Sequence, residues 1–188
     1  MIDYSLYLVT DERYDNLLLK VKKLLNKGVT LVQYRVKRKT TSDMLVEAQE
    51  LKQICDKYKV KLLINDRIDI ALAVGAAGVH LGQDDMPCKT AREILGKQAI
   101  IGVSVHSVKE AQCAIADGAD YLGVGAIFPT KTKLDADVLG IKVLEKICNA
   151  STVPVVGIGG INLQNKDEVI RAGAQGVAVV SALLDGIE

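Results

Sequence analysis

Eight short apolar runs, helical periodicity between them, and a glycine that recurs just ahead of four of the runs predict an α/β chain. The fold class is a TIM (β/α)8 barrel with a shortened C-terminal helix. The recurrence is visible in "NKGVTLVQYR" from Asn26, "AVGAAGVHLG" from Ala73, "ADGADYLGVG" from Ala116 and "RAGAQGVAVV" from Arg171. In each, a Gly closes a helix through the left-handed C-cap, and an apolar run follows. Runs without alternation suit strands buried on both faces, which are parallel strands covered by helices. A doubly wound open sheet is the rival arrangement. Residues 1–188 read as a single barrel domain, short for this fold, so helices and loops must be brief.

The strands are expected at Leu6 to Thr10, Thr30 to Arg35, Lys61 to Asn65, Gly78 to Leu81, Ile100 to Ser104, Tyr121 to Gly125, Pro154 to Gly157 and Gly176 to Ser181. Between the first two, "RYDNLLLKVKKLLNKG" puts Leu17, Val21, Leu24 and Leu25 on one helical face. After the second, "TSDMLVEAQELKQICDKY" puts Leu45, Ala48, Leu51 and Ile54 on another, with Thr41 or Ser42 as the cap. Asn65 and Asp66 form a turn that can cap a helix holding Ile68 and Ile70. Later helices start near Ser107 and near Asn162. After Ser181 only "ALLDGIE" remains, so the eighth helix looks clipped.

Composition narrows the function classes. The chain is 49% hydrophobic and 25% charged, which suits a sizeable core. Its net charge of +1 gives no broad basic field for nucleic acid or anionic membrane. Aromatic residues make up 4% and there is no Trp, so base-stacking platforms are not expected. No apolar run approaches the roughly 20 residues needed to span a bilayer, and the N-terminus does not read as a signal peptide. The expected compartment is cytoplasmic. Cys55, Cys88, Cys113 and Cys148 are widely spaced and contain no C-x-x-C pair. They read as reduced thiols, mostly small core residues, rather than zinc ligands.

In a barrel the residues just after each strand share one rim, where barrel active sites lie. The second strand delivers Gln33, Arg35 and Lys37 on one side. Two cations on an inward face need an anion; dispersed charges at a solvated strand end are the plainer reading. The third strand delivers Asn65 and Asp66, and the fourth His80, Gln83, Asp84 and Asp85. Asp66 and Asp85, from adjacent strands, form a carboxylate pair for a hard cation such as Mg2+. His80 reads as a hydrogen-bonded structural residue rather than a base. Ser104 and His106 follow the fifth strand. The sixth leads into "GAIFPTKTK", where Thr130, Lys131, Thr132 and Lys133 place two hydroxyls and two ammonium groups together. The seventh ends in "VVGIGGIN", with Gly157, Gly159 and Gly160, and the eighth brings Ser181 to a helix start. Glycines let backbone approach a phosphate, and helix N-termini supply N–H groups. These residues suggest a monophosphate pocket at strands seven and eight. Beside it, Arg35, Lys37, Lys133 and the carboxylates suggest a magnesium-bound diphosphate. No Ser-His-Asp set or base-paired Cys offers a covalent nucleophile. Stabilisation of a leaving group is the better match.

The segments "LYLVTD", "GVTLVQYRVK", "LLINDRIDIALAVGAAGVHLGQDD", "IIGVSVHS", "GADYLGVGAIFPTKTK", "VPVVGIGGI" and "GVAVVSA" together resemble the thiamine-phosphate synthase family over nearly the whole chain. The resemblance implies an enzyme that joins a hydroxymethylpyrimidine diphosphate to a thiazole monophosphate, giving thiamine monophosphate and pyrophosphate. It implies that magnesium assists diphosphate departure and that the thiazole nitrogen attacks the pyrimidine methylene cation. Carried over by motif, Gln33, Arg35, Lys37, Asn65, Ser104 and Lys133 would hold the pyrimidine diphosphate. Lys133, Arg35 and Ser104 are the groups expected to carry the chemistry. Asp66 and Asp85 would bind Mg2+. Thr130, Thr132, Gly160, Val180 and Ser181 would hold the thiazole phosphate, with Lys131 facing solvent.

Tyr34 and Val36 interrupt the Q-x-R-x-K motif where the family more often has Leu and Glu; both should face away from the site. About a dozen residues of the family's eighth helix have no counterpart here. The partners expected are two phosphorylated small molecules, with no nucleic acid and no membrane; a homo-oligomer is left open. Two rivals share the phosphate pocket: a thiazole tautomerase-like homologue and a non-catalytic thiazole-phosphate-binding regulator. The full set of cations and carboxylates favours the synthase. The loop "IFPTKTKLDADVLG" is expected to close over the substrates.

Overall fold

The computed structural model describes residues 2–130 and 137–187. Strand and helix alternate: β1 (Leu6–Val9), α1 (Leu17–Leu25), β2 (Leu31–Tyr34), α2 (Thr41–Lys57), β3 (Lys61–Asn65), α3 (Ile68–Val74), β4 (Gly78–Leu81) and α4 (Cys88–Leu95). The second half continues with β5 (Ile100–Val105), α5 (Val108–Ala116), β6 (Tyr121–Val124), α6 (Ile141–Ala150), β7 (Val155–Ile158), α7 (Lys166–Arg171), β8 (Gly176–Val179) and α8 (Ser181–Leu184). The strands close in chain order into a parallel barrel. At the seam, Leu6, Tyr7 and Leu8 pair with Val177, Ala178 and Val179. The predicted barrel is the observed one, and the open sheet is not. The eighth helix is four residues long.

Alternation along the strands sorts the side chains into two apolar layers. Leu8, Val32, Tyr34, Leu62, Ile64 and Val79 join the larger cluster between sheet and helices. Tyr7, Val9, Leu31, Leu63, Tyr121 and Val156 form a second cluster inside the barrel. The inward positions turn polar along the strand direction: Gln33 follows Leu31, Asn65 follows Leu63, and Ser104 follows Gly102. The barrel is therefore apolar below and polar at its C-terminal mouth.

The helices largely follow the sequence, with three shifts. α1 buries Leu17, Val21, Leu24 and Leu25, as read. α2 buries Met44, Ala48, Leu51 and Cys55, while the expected Leu45 and Ile54 only flank that stripe. Small Ala and Cys side chains let this face lie close to the sheet, which outweighs the greater hydrophobicity beside it. The α2 cap is Thr40, one residue before the expected Thr41 or Ser42, and its side chain accepts from the Asp43 N–H at 3.2 Å. Asp43 Oδ2 takes the Thr40 hydroxyl at 2.8 Å, which fixes the start there. α5 begins as read, with Ser107 capping Glu110 N. α7 begins at Lys166, not near Asn162. There the Asn165 Oδ1 accepts from Asn162 N and its Nδ2 donates to Gly160 O. These local bonds hold a turn in place of a first helical turn.

Gly28, Gly75, Gly118 and Gly173, the glycines of the four recurring segments, all have positive φ. That is the left-handed exit predicted for them. All four cysteines are free; Cys55 and Cys88 are buried, Cys148 is half-buried and Cys113 is exposed. Among the described residues, no helix is long and apolar enough to cross a membrane.

One knot fastens the N-terminal end of the barrel. Arg92 of α4 donates to Gly96 O at 2.9 Å, Ala99 O at 2.7 Å and Gly118 O at 2.8 and 3.3 Å. It also meets Asp120 Oδ2 at 2.6 Å, and that oxygen accepts from Ile101 N at 2.7 Å. All five guanidinium N–H groups are used.

Candidate active site

The polar mouth opens into a cavity of about 1130 Å³. Every predicted site residue within the described segments lines it: Gln33, Arg35, Lys37, Asn65, Asp66, Asp85, Ser104, Thr130, Gly160, Val180 and Ser181. Thr132 and Lys133, with Lys131 and much of the proposed closing loop, lie outside the described residues.

Beyond β2 the chain is pinned to the loop after β1. The Thr10 hydroxyl accepts from Arg35 N at 2.8 Å, and Glu12 Oε2 accepts from Lys37 N and Arg38 N at 3.1 and 3.0 Å. This holds Gln33, Arg35 and Lys37 toward the cavity. Tyr34 and Val36 point outward as expected, and the Tyr34 hydroxyl donates to Glu47 Oε2 at 2.6 Å.

The Lys37 ammonium meets Asp66 Oδ2 at 2.6 Å. Asp66 does not cap α3: the residue before that helix is Arg67, which makes no side-chain cap bond. Instead Asp66 takes a left-handed φ of 61° and its N–H donates to His80 O at 2.9 Å. That conformation is uncommon for a residue with a Cβ, and Asp and Asn tolerate it best. Asp85 lies against Asp66, and its Oδ2 accepts from Gly82 N at 2.7 Å. Burial and the neighbouring Asp66 hold the Asp85 carboxyl above its ordinary value, while the Gly82 N–H and Lys37 pull the other way. Two carboxylates in contact are eased by a shared cation, and an all-oxygen pair suits Mg2+. Among the described residues no group of three or more His, Cys, Asp or Glu side chains stands ready for a metal. A cation at this pair would complete its shell with water and substrate oxygens.

The floor of the cavity is a chain of hydrogen bonds. Gln33 Nε2 donates to the Tyr7 hydroxyl at 2.7 Å, and the hydroxyls of Tyr7 and Tyr121 are 2.8 Å apart. Tyr121 reaches His80 Nδ1 at 2.8 Å, and His80 Nε2 lies 2.9 Å from Ser104 Oγ. Burial pulls the His80 imidazole down to about 4, against the charge of Asp85. Both ring nitrogens of His80 are engaged in hydrogen bonds. Two glycines make room for this chain: a Cβ at Gly102 would come within 2.1 Å of the Tyr121 ring, and one at Gly123 within 2.9 Å of the His80 ring.

On the far side, the chain after β6 packs against the turn after β7. Ile127 N donates to Ile158 O at 2.9 Å and Phe128 N to Gly159 O at 3.0 Å. A Cβ at Gly160 would lie 2.5 Å from Pro129 O, so the two loops touch only because Gly stands there. Thr130 thus arrives beside Gly160, with Val180 and Ser181 at the start of α8. Because α7 starts late, Gly159 and Gly160 open a turn rather than a helix N-terminus.

Sequence reasoning passed over Arg13, Tyr14, Tyr7 and Tyr121, which also line the cavity. Arg13 grips buried Asp11 through two nitrogens at 2.6–3.0 Å; burial pushes that carboxyl up, and the Arg13 bonds outweigh it and hold it below its usual range. The Tyr14 hydroxyl donates to Asp185 beyond α8. The signal that marks the other rim residues, a polar side chain just after a strand, also marks Asp11 and Arg13 after the first. Nothing in an apolar run marks Tyr7 and Tyr121 as partners.

By fold and by the placing of its polar groups, the molecule falls among the (β/α)8 enzymes that work on small molecules at the C-terminal rim. Residues 6–183 match the family model described as thiamine monophosphate synthase. The thiamine-phosphate synthase of Clostridium acetobutylicum is 51% identical over 97% of this chain and 88% of its own length. That of Clostridium perfringens is 52% identical over 97% of this chain and 90% of its own. The solved thiamine phosphate pyrophosphorylase from Pyrococcus furiosus superposes with a TM-score of 0.89 at 42% identity, covering 96% of this chain and 87% of that one. The chain belongs to the thiamine monophosphate synthase family.

Proposed function

We propose that this cavity joins a hydroxymethylpyrimidine diphosphate to a thiazole monophosphate, giving thiamine monophosphate and pyrophosphate. The observation that carries the reading is convergence: cations from the end of β2, carboxylates from the ends of β3 and β4, and the Gly160 turn with Ser181 share one cavity. That space suits two anionic substrates side by side. Membership of the family supplies the activity class, a transferase.

In this reading Arg35 and Lys37, with Lys133 by motif, bind the diphosphate, and Gln33, Asn65 and Ser104 hold the pyrimidine end. Thr130, Gly160, Val180 and Ser181, with Thr132 by motif, hold the thiazole phosphate. Asp66 and Asp85 would hold Mg2+, which when bound offsets the negative charge of the diphosphate. The bond from the pyrimidine methylene to the diphosphate oxygen breaks, and its electron pair leaves with pyrophosphate. The methylene cation then accepts the lone pair of the thiazole nitrogen, so no protein nucleophile is required. Fixed cations aimed at the departing charge lower the barrier because they need no reorganisation at that moment. The rigid loop pinned by Thr10 and Glu12 supplies that fixity on the β2 side. Four free thiols suit a reducing compartment, and the reading places the reaction in the cytosol.

The test is incubation with both substrates and magnesium. Thiamine monophosphate should appear, and the thiazole phosphate alone should remain unchanged. Folded protein that yields no product, or that only isomerises the thiazole, overturns the reading.

A further inference from the structure

The chain of bonds across the cavity floor has a polarity. Tyr7 and Tyr121 are almost wholly buried, so both hydroxyl hydrogens must be used inside the chain. Gln33 Nε2 donates to Tyr7. The Tyr7 hydrogen then goes to the Tyr121 oxygen, and the Tyr121 hydrogen to His80 Nδ1. A neutral imidazole that accepts at Nδ1 carries its proton on Nε2, which donates to Ser104 Oγ. Every link points the same way. At one end the Gln33 carbonyl oxygen has its acceptor capacity unspent among the described residues; at the other the Ser104 hydrogen is released. Both residues line the cavity. The backbone of Ser104 is fixed separately, its carbonyl accepting from Gln83 Nε2 at 2.6 Å.

We infer that Tyr7, Tyr121 and His80 are positioning residues that set Gln33 as a hydrogen-bond acceptor and Ser104 as a hydrogen-bond donor toward the heteroaromatic ring of the diphosphate substrate. The inference rests on the proposed function for the identity of that ring. An aminopyrimidine carries both an N–H2 donor and ring-nitrogen acceptors, so a fixed acceptor and a fixed donor read it, whereas freely rotating groups would not discriminate. Reversing any link would swap the ends and mismatch the ring. Gly102 and Gly123 keep the relay in place, since a side chain at either would displace Tyr121 or His80.

A double-mutant cycle tests this. Tyr121→Phe should raise the KM for the pyrimidine diphosphate by about tenfold, the upper range for a hydrogen bond between neutral groups, and leave the KM for the thiazole phosphate within about twofold. In a Ser104→Ala background, Tyr121→Phe should cost clearly less than in the native chain, because one of the two ends it sets is already gone. Additive effects, or equal changes in both KM values, overturn the relay. Should Tyr121→Phe fold poorly, Tyr7→Phe cuts the chain at its Gln33 end and should likewise be less than additive with Gln33→Ala. A second readout avoids turnover: calorimetry of the diphosphate-free aminopyrimidine alcohol, without metal, should show weaker binding to each variant than to the native chain. Equal binding overturns the relay, while a native chain that binds the ring yet makes no product faults the synthase reading alone.

Discussion

Asp66 and Asp85 press two carboxylates together beside one ammonium group, an arrangement that favours a bound cation. Asp66→Ala or Asp85→Ala should each lower turnover by about 100-fold or more, the usual cost of losing a key charge-stabilising group. Magnesium should raise the Tm of the native chain and not that of either variant, because only a ligand of the folded state stabilises it. Differential scanning calorimetry with and without the ion decides this. His80 makes a separate expectation at low pH. Its native value is depressed to about 4 from about 6.5, so between those values the unfolded chain binds a proton that the folded one refuses. Stability on this account is complete above the unfolded value and falls as pH drops through the window. Denaturant titrations of the native chain should show that acid slope, and His80→Gln should reduce it. At this scale the sequence was legible wherever a polar residue followed an apolar run, as with Gln33 and Asp85. Asp66 was legible as a rim carboxylate, but its backbone was not: the same turn could have capped a helix, and no residue type announces the left-handed φ found there.

Strands read more clearly than helix ends. A strand buried on both faces needs an unbroken apolar run, so all eight were visible in the chain. A helix end depends on which polar side chain wins the local backbone. Thr40 and Asp43 moved the start of α2, and Asn162 with Asn165 delayed α7. The face of α2 was displaced because close approach to the sheet favoured Ala48 and Cys55 over the bulkier Ile54. Arg92 fastens three segments at the N-terminal end, α4, the start of β5 and the approach to β6. With its side chain only 19% exposed, Arg92→Ala should cost about 2–3 kcal/mol, the range for charge-assisted bonds left unmade. Arg92→Lys should recover little of this, since a point charge cannot reproduce five donors in a planar fork. Equilibrium urea unfolding measures both, and near-native stability in Arg92→Lys would show that charge alone suffices.

Over the whole molecule, closure of the barrel turns chain order into spatial order. That is why residues as distant as Gln33 and Ser181 could be assigned to one rim before any contact was known. The relay beneath them was hidden for the same reason in reverse: Tyr7 and Tyr121 lie 114 residues apart, and only the inward pleat of closed strands brings their hydroxyls to 2.8 Å. The cavity is wide enough for two substrates, and the account stands on their being joined there. Phosphorus NMR of the protein with magnesium, the pyrimidine diphosphate and the thiazole monophosphate tests this most directly. The diphosphate doublets should give way to a pyrophosphate singlet, with one equivalent of thiamine monophosphate formed for each pyrophosphate released. Unchanged diphosphate signals from folded protein, or loss of the diphosphate without thiamine monophosphate, would contradict it.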